Sequence, residues 1–512
     1  MEQVAQMYEI YKSAQRNLIF LDMENGSVGP ALDSMRTILE DAREHTDGFK
    51  TFATHGTNWY YHAPIDTHLV VDVEPILQLL AKPWFSRLWV LQEACLARES
   101  ICHCGSKTFQ LVDLLRAASW MWTKRNFLPL YKDTTTDFAH VRLIFARAII
   151  MLDIVDKDIG WYAKAVREGW FQDKQDTSAM FSLLGHSVSF QATESLDHIY
   201  GMLGLWRLFS ETEDEIPHLL RPDYTKDIAA VFRDATRFAL QESESLALLQ
   251  GVHHRPEDID TRILPSWVPD WTRPFEPGLD PTPFNRGFFA HDQWMADHFD
   301  ASPQSMDSIQ LQGIFVDSRT EARVEIVSYA NTNPTENGFL WYSTAEHMVA
   351  GHARARHLES PSLAICTTLV AAENAERDVA SVDDLAGFDD LKKIWQAGGT
   401  PMTELGLIDA STSAQMRRAS RYAIACGRAS SLRRFFVTAG GRIGLGPQIM
   451  QPGDLVTVLY GGECPFVIRQ VIDKDEYTMI GPAFVYDIMK GEAVIRHMEI
   501  HGDDSDELFT IV

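Results

Sequence analysis

The sequence predicts a mixed α+β chain, and three observations carry that prediction. Helical and strand periods alternate near the N-terminus, and the middle of the chain is mostly helical in pattern. The hydrophobic period then falls to two from residue 309, and again over a series of short runs between 432 and 498.

The elements follow in order. Val4, Met7, Tyr8, Tyr11 and Ala14 make one apolar stripe, so residues 2–16 are expected to form an amphipathic helix. Asn17-Leu-Ile-Phe-Leu-Asp22 is a short apolar run between polar residues, which reads as a buried parallel strand. Gly26, Gly29 and Pro30 break the chain before a second helix carrying Leu32, Met35, Ile38 and Leu39. This is the grammar of an α/β layer. A lone strand cannot make a sheet, so the expectation is either that something upstream is missing or that the sheet is completed in another way. Residues 46–68 are irregular and rich in aromatics. Ser100 to Cys104 reads as a short strand ending at Gly105-Ser106, and Phe109 to Trp122 as a helix. Further helical patterns cover 138–166, 177–186 and 228–242. Residues 253–284 are dense in Pro and Trp, the composition of an ordered, aromatic-packed connector. Residues 343–425 return to helical patterns with an acidic insert around Asp378–Asp390, and the tail from Gly502 to Glu507 is acidic and expected to be loose. The division expected is 1–125 (α/β), 126–250 (helical), 251–308 (connector) and 309–512 (α+β), with a small antiparallel β module at about 432–498.

Composition narrows the function. The 512 residues are 45% hydrophobic and 11% aromatic, enough for sizeable cores. The formal net charge of -25 argues against a nucleic-acid binder, which needs basic stripes over phosphate, and against a polybasic membrane-surface protein. The most apolar stretch, Leu143 to Val155, contains Arg147 and Asp153 and is too short to span a bilayer. Six cysteines in so long a chain are no disulfide scaffold, and no signal peptide is visible, so an intracellular, cytoplasmic protein is expected.

Few stretches carry chemistry. Cys95, Cys102, His103 and Cys104 lack zinc spacing and a second ligand pair, so buried thiols are expected and no metal. Neither a dinucleotide fingerprint nor a phosphate-binding P-loop occurs. Gly440 to Gly446 is glycine-dense but lies between strands, where hairpin turn chemistry explains it. His253 and His254, with His291 and His298, read as surface histidines. The remaining stretch is Pro83-Trp84-Phe85-Ser86-Arg87-Leu88-Trp89-Val90-Leu91-Gln92-Glu93-Ala94-Cys95. Pro83 suits a first helical turn, and Leu88, Leu91 and Cys95 recur at helix spacing. Trp89 and Glu93 lie four apart and share a face. A carboxylate beside a large ring serves either as a raised-pKa acid or hydroxyl acceptor, or as a paired structural group.

The same segment resembles the signature of the fungal heterokaryon-incompatibility (HET) domain, in which Trp84, Arg87, Trp89, Gln92 and Glu93 are the motif positions. The 3–21 stretch is similar to the family's helix and "W-L-G" strand, with Asp22 in place of the glycine. Asp197-His-Ile-Tyr-Gly-Met-Leu-Gly-Leu205 resembles the "D-K-I-Y-A-L-L-G-L" block. Pro222-Asp-Tyr224, Leu264-Pro-Ser-Trp-Val-Pro-Asp-Trp271, Gly453-Asp454, Pro465-Phe-Val-Ile-Arg469 and the stretch from Gly481 to Glu492 resemble further blocks of long HET proteins. The family's upstream "S-Y-x-W-G" and "D-x-x-C-I-N-Q" blocks are absent, so a truncated copy of the domain is expected.

The resemblance implies a role in nonself recognition and programmed cell death, acting through protein partners in incompatibility signalling and through self-association. HET domains are also similar to TIR domains, some of which cleave NAD with a glutamate in a "W-C-x-x-E" helix. On that likeness the N-terminal part is the remnant of a TIR-like α/β layer. Glu93 would then be the catalytic group, Trp89 its pocket wall and NAD a substrate, with no resident cofactor. The rival reading makes Glu93 an architectural anchor, paired with Arg87 or a backbone amide.

Overall fold

The structure is a computed structural model, and it describes residues 2–22, 28–45, 71–123, 138–157, 179–210, 216–243, 245–258, 261–273, 290, 305–331, 338–355, 358–375, 379–401, 412–501 and 506–512. The chain is α+β and divides into two compact units: Met1–Val231 with Trp271–Pro274, and Phe232–Asp270 with Phe275–Val512. The aromatic stretch at 46–68, His291 and His298 lie outside the described residues.

In the first unit the predicted helix is Glu2–Ser13, and the predicted strand is β1, Asn17–Asp22. β1 is not alone. It pairs in parallel with β2, Ser100–Cys104, through a crossover that holds the helices Val28–His45 and Glu74–Leu80. β2 then turns back through Gly105 into β3, Lys107–Gln110, so Phe109 belongs to a strand and the next helix is Leu111–Thr123. Phe109 and Gln110, expected as the first residues of the helix, are the last two of this strand. The sheet order is β1-β2-β3. Ile19, Leu21, Cys102 and Cys104 fill its inner face against the helices.

The long helix Phe138–Val155 ends before Asp156, whose carboxylate takes the Arg116 guanidinium at 2.7 and 3.1 Å. The rest of the expected 138–166 helix lies beyond the described residues, which stop at 157. None of the described helices is long and apolar enough to cross a membrane.

In the second unit the strand pattern was legible, but its assembly was not. Strands β4 (Ile309–Phe315), β8 (Leu455–Leu459), β9 (Phe466–Gln470), β10 (Tyr477–Pro482) and β12 (Glu507–Ile511) close into a five-stranded barrel in the order β10-β12-β4-β8-β9. A second sheet runs β11-β7-β6-β5, built from Phe484–Val485, Ile443–Pro447, Arg433–Thr438 and Val324–Val327. Residues 492–498, expected within the β module, are helical, within Glu492–His501. Of the acidic tail, 502–505 lie outside the described residues, and Glu507 opens the barrel strand. The acidic start of that strand hid Phe509 and Ile511, which are buried in the barrel.

The turn between β6 and β7 requires its glycine. Gly441 holds φ +91°, and a Cβ there would stand 2.7–2.9 Å from Arg354 and the Ala355 backbone. Inside the barrel, Asp454 is buried and takes the Arg469 guanidinium through two bonds of 2.7 and 3.1 Å. Trp267 and Trp271, in the Pro/Trp-rich stretch, are both fully buried. His254 is buried too, at 8% exposure, and not a surface residue as the sequence suggested. The polar context that hid it, His-His-Arg-Pro-Glu-Asp, packs its ring under the carbonyl of Ser266.

Candidate functional site: the Trp89–Glu93 face

The signature segment forms two pieces and not one helix. Pro83 opens a 3-10 turn, Pro83–Ser86, and the α-helix proper is Val90–Leu96. Arg87 breaks the run, with φ -80° and ψ 136°, because it lies in a short parallel bridge to Gln191. Gln191 donates its N–H to the Ser86 carbonyl at 2.7 Å and accepts that of Leu88 at 2.9 Å. Trp84 is half-buried and meets Phe85 edge-on, with centroids 5.1 Å apart. The Val90–Leu96 helix packs against Glu2–Ser13, Phe138–Val155 and Leu203–Phe209, and Leu88, Leu91 and Cys95 face that core as their spacing predicted. Burial pushes the Cys95 thiol up to about 12, so it stays protonated and donates to the Ile154 carbonyl at 3.1 Å.

The motif side chains are spent on other parts of the same unit. Trp89 donates its indole Nε1–H to Asp197 Oδ2 at 2.9 Å, and the Tyr224 hydroxyl donates to Asp197 Oδ1 at 2.6 Å. Burial and the Asp197 carboxylate hold the Tyr224 phenol well above its ordinary pKa, so it remains a donor. Gln92, 2% exposed, donates Nε2–H to the Gly201 carbonyl at 2.5 Å, while its Oε1 lies against Gly204. A Cβ at Gly204 would come within 2.2 Å of that oxygen, which is why a glycine stands there. The Tyr200 hydroxyl in turn accepts the Asp223 N–H at 3.0 Å. Three stretches, 83–93, 197–205 and 222–224, are therefore joined by hydrogen bonds into one junction.

Glu93 stands at its margin. It is half-buried, and it accepts a long hydrogen bond from the Tyr11 hydroxyl, 3.5 Å to Oε1. Burial, with the Glu93 carboxylate beside it, pushes the Tyr11 phenol up to about 12. Glu93 thus meets Tyr11, and not Arg87, which is exposed. Although they are one helical turn apart, Trp89 and Glu93 serve different partners. The cavity next to Gln92 holds about 10 Å³, room for one water, between Tyr8, Tyr200, Leu203, Arg207 and Pro222. Small-molecule pockets run to roughly 300–1,000 Å³, so this one takes no nucleotide. The described residues hold no cluster of three metal-ligating side chains.

The sequence named Trp89, Gln92 and Glu93 but missed what they bond to. Tyr11 read as one member of an apolar stripe, and nothing local marks it as a partner 82 positions from Glu93. Asp197 and Tyr224 each lie in a block that carried the family resemblance, which was the available hint.

In the second unit a cavity of about 330 Å³ opens beside Asp317, Glu321, Arg354, Arg442 and Tyr486. Four of its charged groups pair within the chain: Arg442 binds Asp317 at 2.6 and 2.7 Å, Arg496 binds it at 3.2 Å, and Arg354 binds Glu321 at 2.6 Å.

Comparison with known proteins places these features in a family. The family described as heterokaryon incompatibility protein (HET) matches residues 1–93, which end at Glu93. The Het-6 beta-barrel domain matches residues 381–500, which include β6 to β11. Over nearly its whole length the chain is similar to heterokaryon incompatibility protein 6, OR allele, of Neurospora crassa, with 22% identity over 96% of this chain and 78% of the relative. No solved structure matches. With its N-terminal signature match, its barrel-domain match and a relative aligned over most of both chains, the chain belongs to the heterokaryon-incompatibility family.

Proposed function

We propose that this protein acts in fungal heterokaryon incompatibility, as an interaction protein of nonself recognition that leads fused, mismatched cells to programmed cell death in their cytoplasm. The family membership supports the process. One observation supports the mode of action: Trp89 and Gln92 are bonded into the junction with Asp197 and Gly201, so the signature side chains are spent on building a shape. On this reading Glu93 is a positioning residue that orients Tyr11 and the N-terminal helix against the signature helix. Its partners are other proteins, and no cofactor enters.

The rival is cleavage of NAD at its glycosidic bond by Glu93. It draws on the four-residue spacing from Trp89 to Glu93, whereas the Trp89 indole is engaged by Asp197. The readings separate in one assay. Purified protein and its Glu93→Gln variant are incubated with NAD, and neither is expected to consume it. Turnover by the wild type that Glu93→Gln abolishes would establish the enzyme instead. For the process itself, the chain is expressed in a fungal strain and fused with strains of differing incompatibility genotype. Loss of viability confined to particular pairings is the expected result, and equal survival in all pairings refutes the role.

A further inference from the structure

We infer that the outer edge of β1 is a self-association site, at which two copies of this chain pair β1 against β1, antiparallel and centred on Ile19. The inference rests on geometry and does not depend on the incompatibility reading.

β1 is the outermost strand of its sheet and pairs there with β2 alone among the described strands. In a parallel pair, successive residues turn their backbone groups alternately to one edge and the other. Asn17 turns to β2, since its N–H is donated to Glu99 O at 2.8 Å. Leu18 and Phe20 therefore present N–H and C=O to the outer edge. An edge of this kind templates a further strand unless charge, proline or cover protects it.

The side chains leave the adjoining face open. Leu18 is 53% exposed and Phe20 76% exposed, with Phe20 stacked on His103 at 5.2 Å. Alternate positions 16, 18, 20 and 22 all face solvent and read Arg, Leu, Phe, Asp. That order is self-complementary when reversed about Ile19. Leu18 comes opposite Phe20 of the second copy and Phe20 opposite Leu18, while Arg16 comes beside Asp22 past the irregularity between Phe20 and Asp22, where the Asp22 carbonyl accepts the Gly105 N–H at 3.1 Å. The two residues whose backbones face outward thus form the hydrogen-bonded pairs, exchanging four N–H···O bonds, and Ile19 meets Ile19 at the two-fold axis. No slip by one residue preserves the match, since it would set an inner face against an outer one.

Charge fixes the same register. Arg16 already binds Glu99 at 3.0 Å, and Lys82 binds Asp22 at 2.5 Å. Setting Arg16 beside Asp22 of the second copy lines up Glu99, Arg16, Asp22 and Lys82 as alternating signs, twice per dimer. The occupant that fits this edge is a second copy.

The test is sedimentation equilibrium of the full chain over a concentration series. A monomer–dimer equilibrium is expected for the wild type, and monomer throughout overturns the proposal. Phe20→Lys should abolish the dimer with an unchanged circular dichroism spectrum, since Phe20 is exposed, and a persisting dimer assigns association to another surface. Arg16→Glu and Asp22→Arg, each alone, set like charges opposite one another and should weaken the dimer about tenfold. Mixed in equal amounts they restore both cross-strand pairs, so heterodimers should form at wild-type affinity. Failure of the mixture to associate refutes the register. Association of Arg16→Glu alone as strongly as the wild type does the same.

Discussion

The N-terminal sheet and the C-terminal barrel differ in how they treat their edges. In the barrel every strand has two neighbours, because β12 pairs with β4 along five positions and touches β10 at Tyr477. In the three-stranded sheet β1 has one neighbour among the described strands, and the side chains of Arg16, Leu18, Phe20 and Asp22 face solvent. The contrast shows where backbone polarity goes. Closure satisfies every ladder bond inside the fold and leaves the strands little to offer a partner. An open edge leaves bonds to be made between chains.

Exchanging one aromatic in each region probes that contrast with the largest expected effect. Phe509 is 1% exposed and meets Phe315 and Tyr477 edge-on at 5.1 and 5.6 Å. Phe509→Ala should cost about 3–5 kcal/mol, from lost burial and the cavity left behind. Phe20→Ala should change the stability of the isolated chain by less than about 0.5 kcal/mol. Urea unfolding of both variants measures the difference, and equal losses would mean that β1 is covered in solution.

Acid should loosen the barrel region. His254 donates Nε2–H to the Ser266 carbonyl at 3.0 Å, while Ser266 itself bonds Val512 next to β12 and Met479 in β10. Burial, and then the nearby Arg262 guanidinium, lower the His254 pKa from 6.5 to about 4. The unfolded chain therefore binds a proton between pH 6.5 and 4 that the folded chain refuses. Stability is full above 6.5 and falls as the pH drops toward 4, by about 3 kcal/mol across the window. His254→Gln should flatten that slope in denaturation curves at pH 7, 5.5 and 4.5. An unchanged slope places the titration elsewhere.

How far the sequence reached follows the same local and long-range divide. β1, the amphipathic helices and most strands of the second unit were legible because period and burial are local. The sheet partner of β1 lies across a crossover that ends at Ser100, and barrel closure pairs residues 309–313 with 507–511. No periodic pattern encodes such pairings. At the signature, helix spacing placed Leu88, Leu91 and Cys95 correctly. Spacing could not see that Trp89 reaches Asp197, 108 positions away, or that Arg87 would leave the helix to meet Gln191.

The junction in the first unit gives intermediate effects. Trp89→Phe keeps an aromatic ring, though a smaller one, and leaves Asp197 Oδ2 without the indole donor. Such a loss at a buried acceptor costs about 1–3 kcal/mol. Tyr224 still holds Oδ1, so the junction should weaken without collapsing. Thermal unfolding of Trp89→Phe beside Tyr224→Phe and the double variant checks this. A double loss equal to the sum of the singles would mean that the two donors do not act through Asp197 together.

The smallest expected effect bears most on what Glu93 does. Its bond from Tyr11 is 3.5 Å long, far beyond the usual 2.7–2.8 Å of a strong O–H···O bond, and both groups are half-buried. Tyr11→Phe should therefore cost about 1 kcal/mol or less. Glu93→Gln should cost no more, since the amide oxygen still accepts from the hydroxyl. With an anchoring role for Glu93, Tyr11→Phe and Glu93→Gln are non-additive in a double-mutant cycle, because each removes or alters the same contact. With a role in substrate chemistry, the two stabilities add and only Glu93→Gln alters NAD turnover. The cycle reads the role of this carboxylate even in a protein that turns nothing over, because its signal is the coupling between two side chains 82 positions apart.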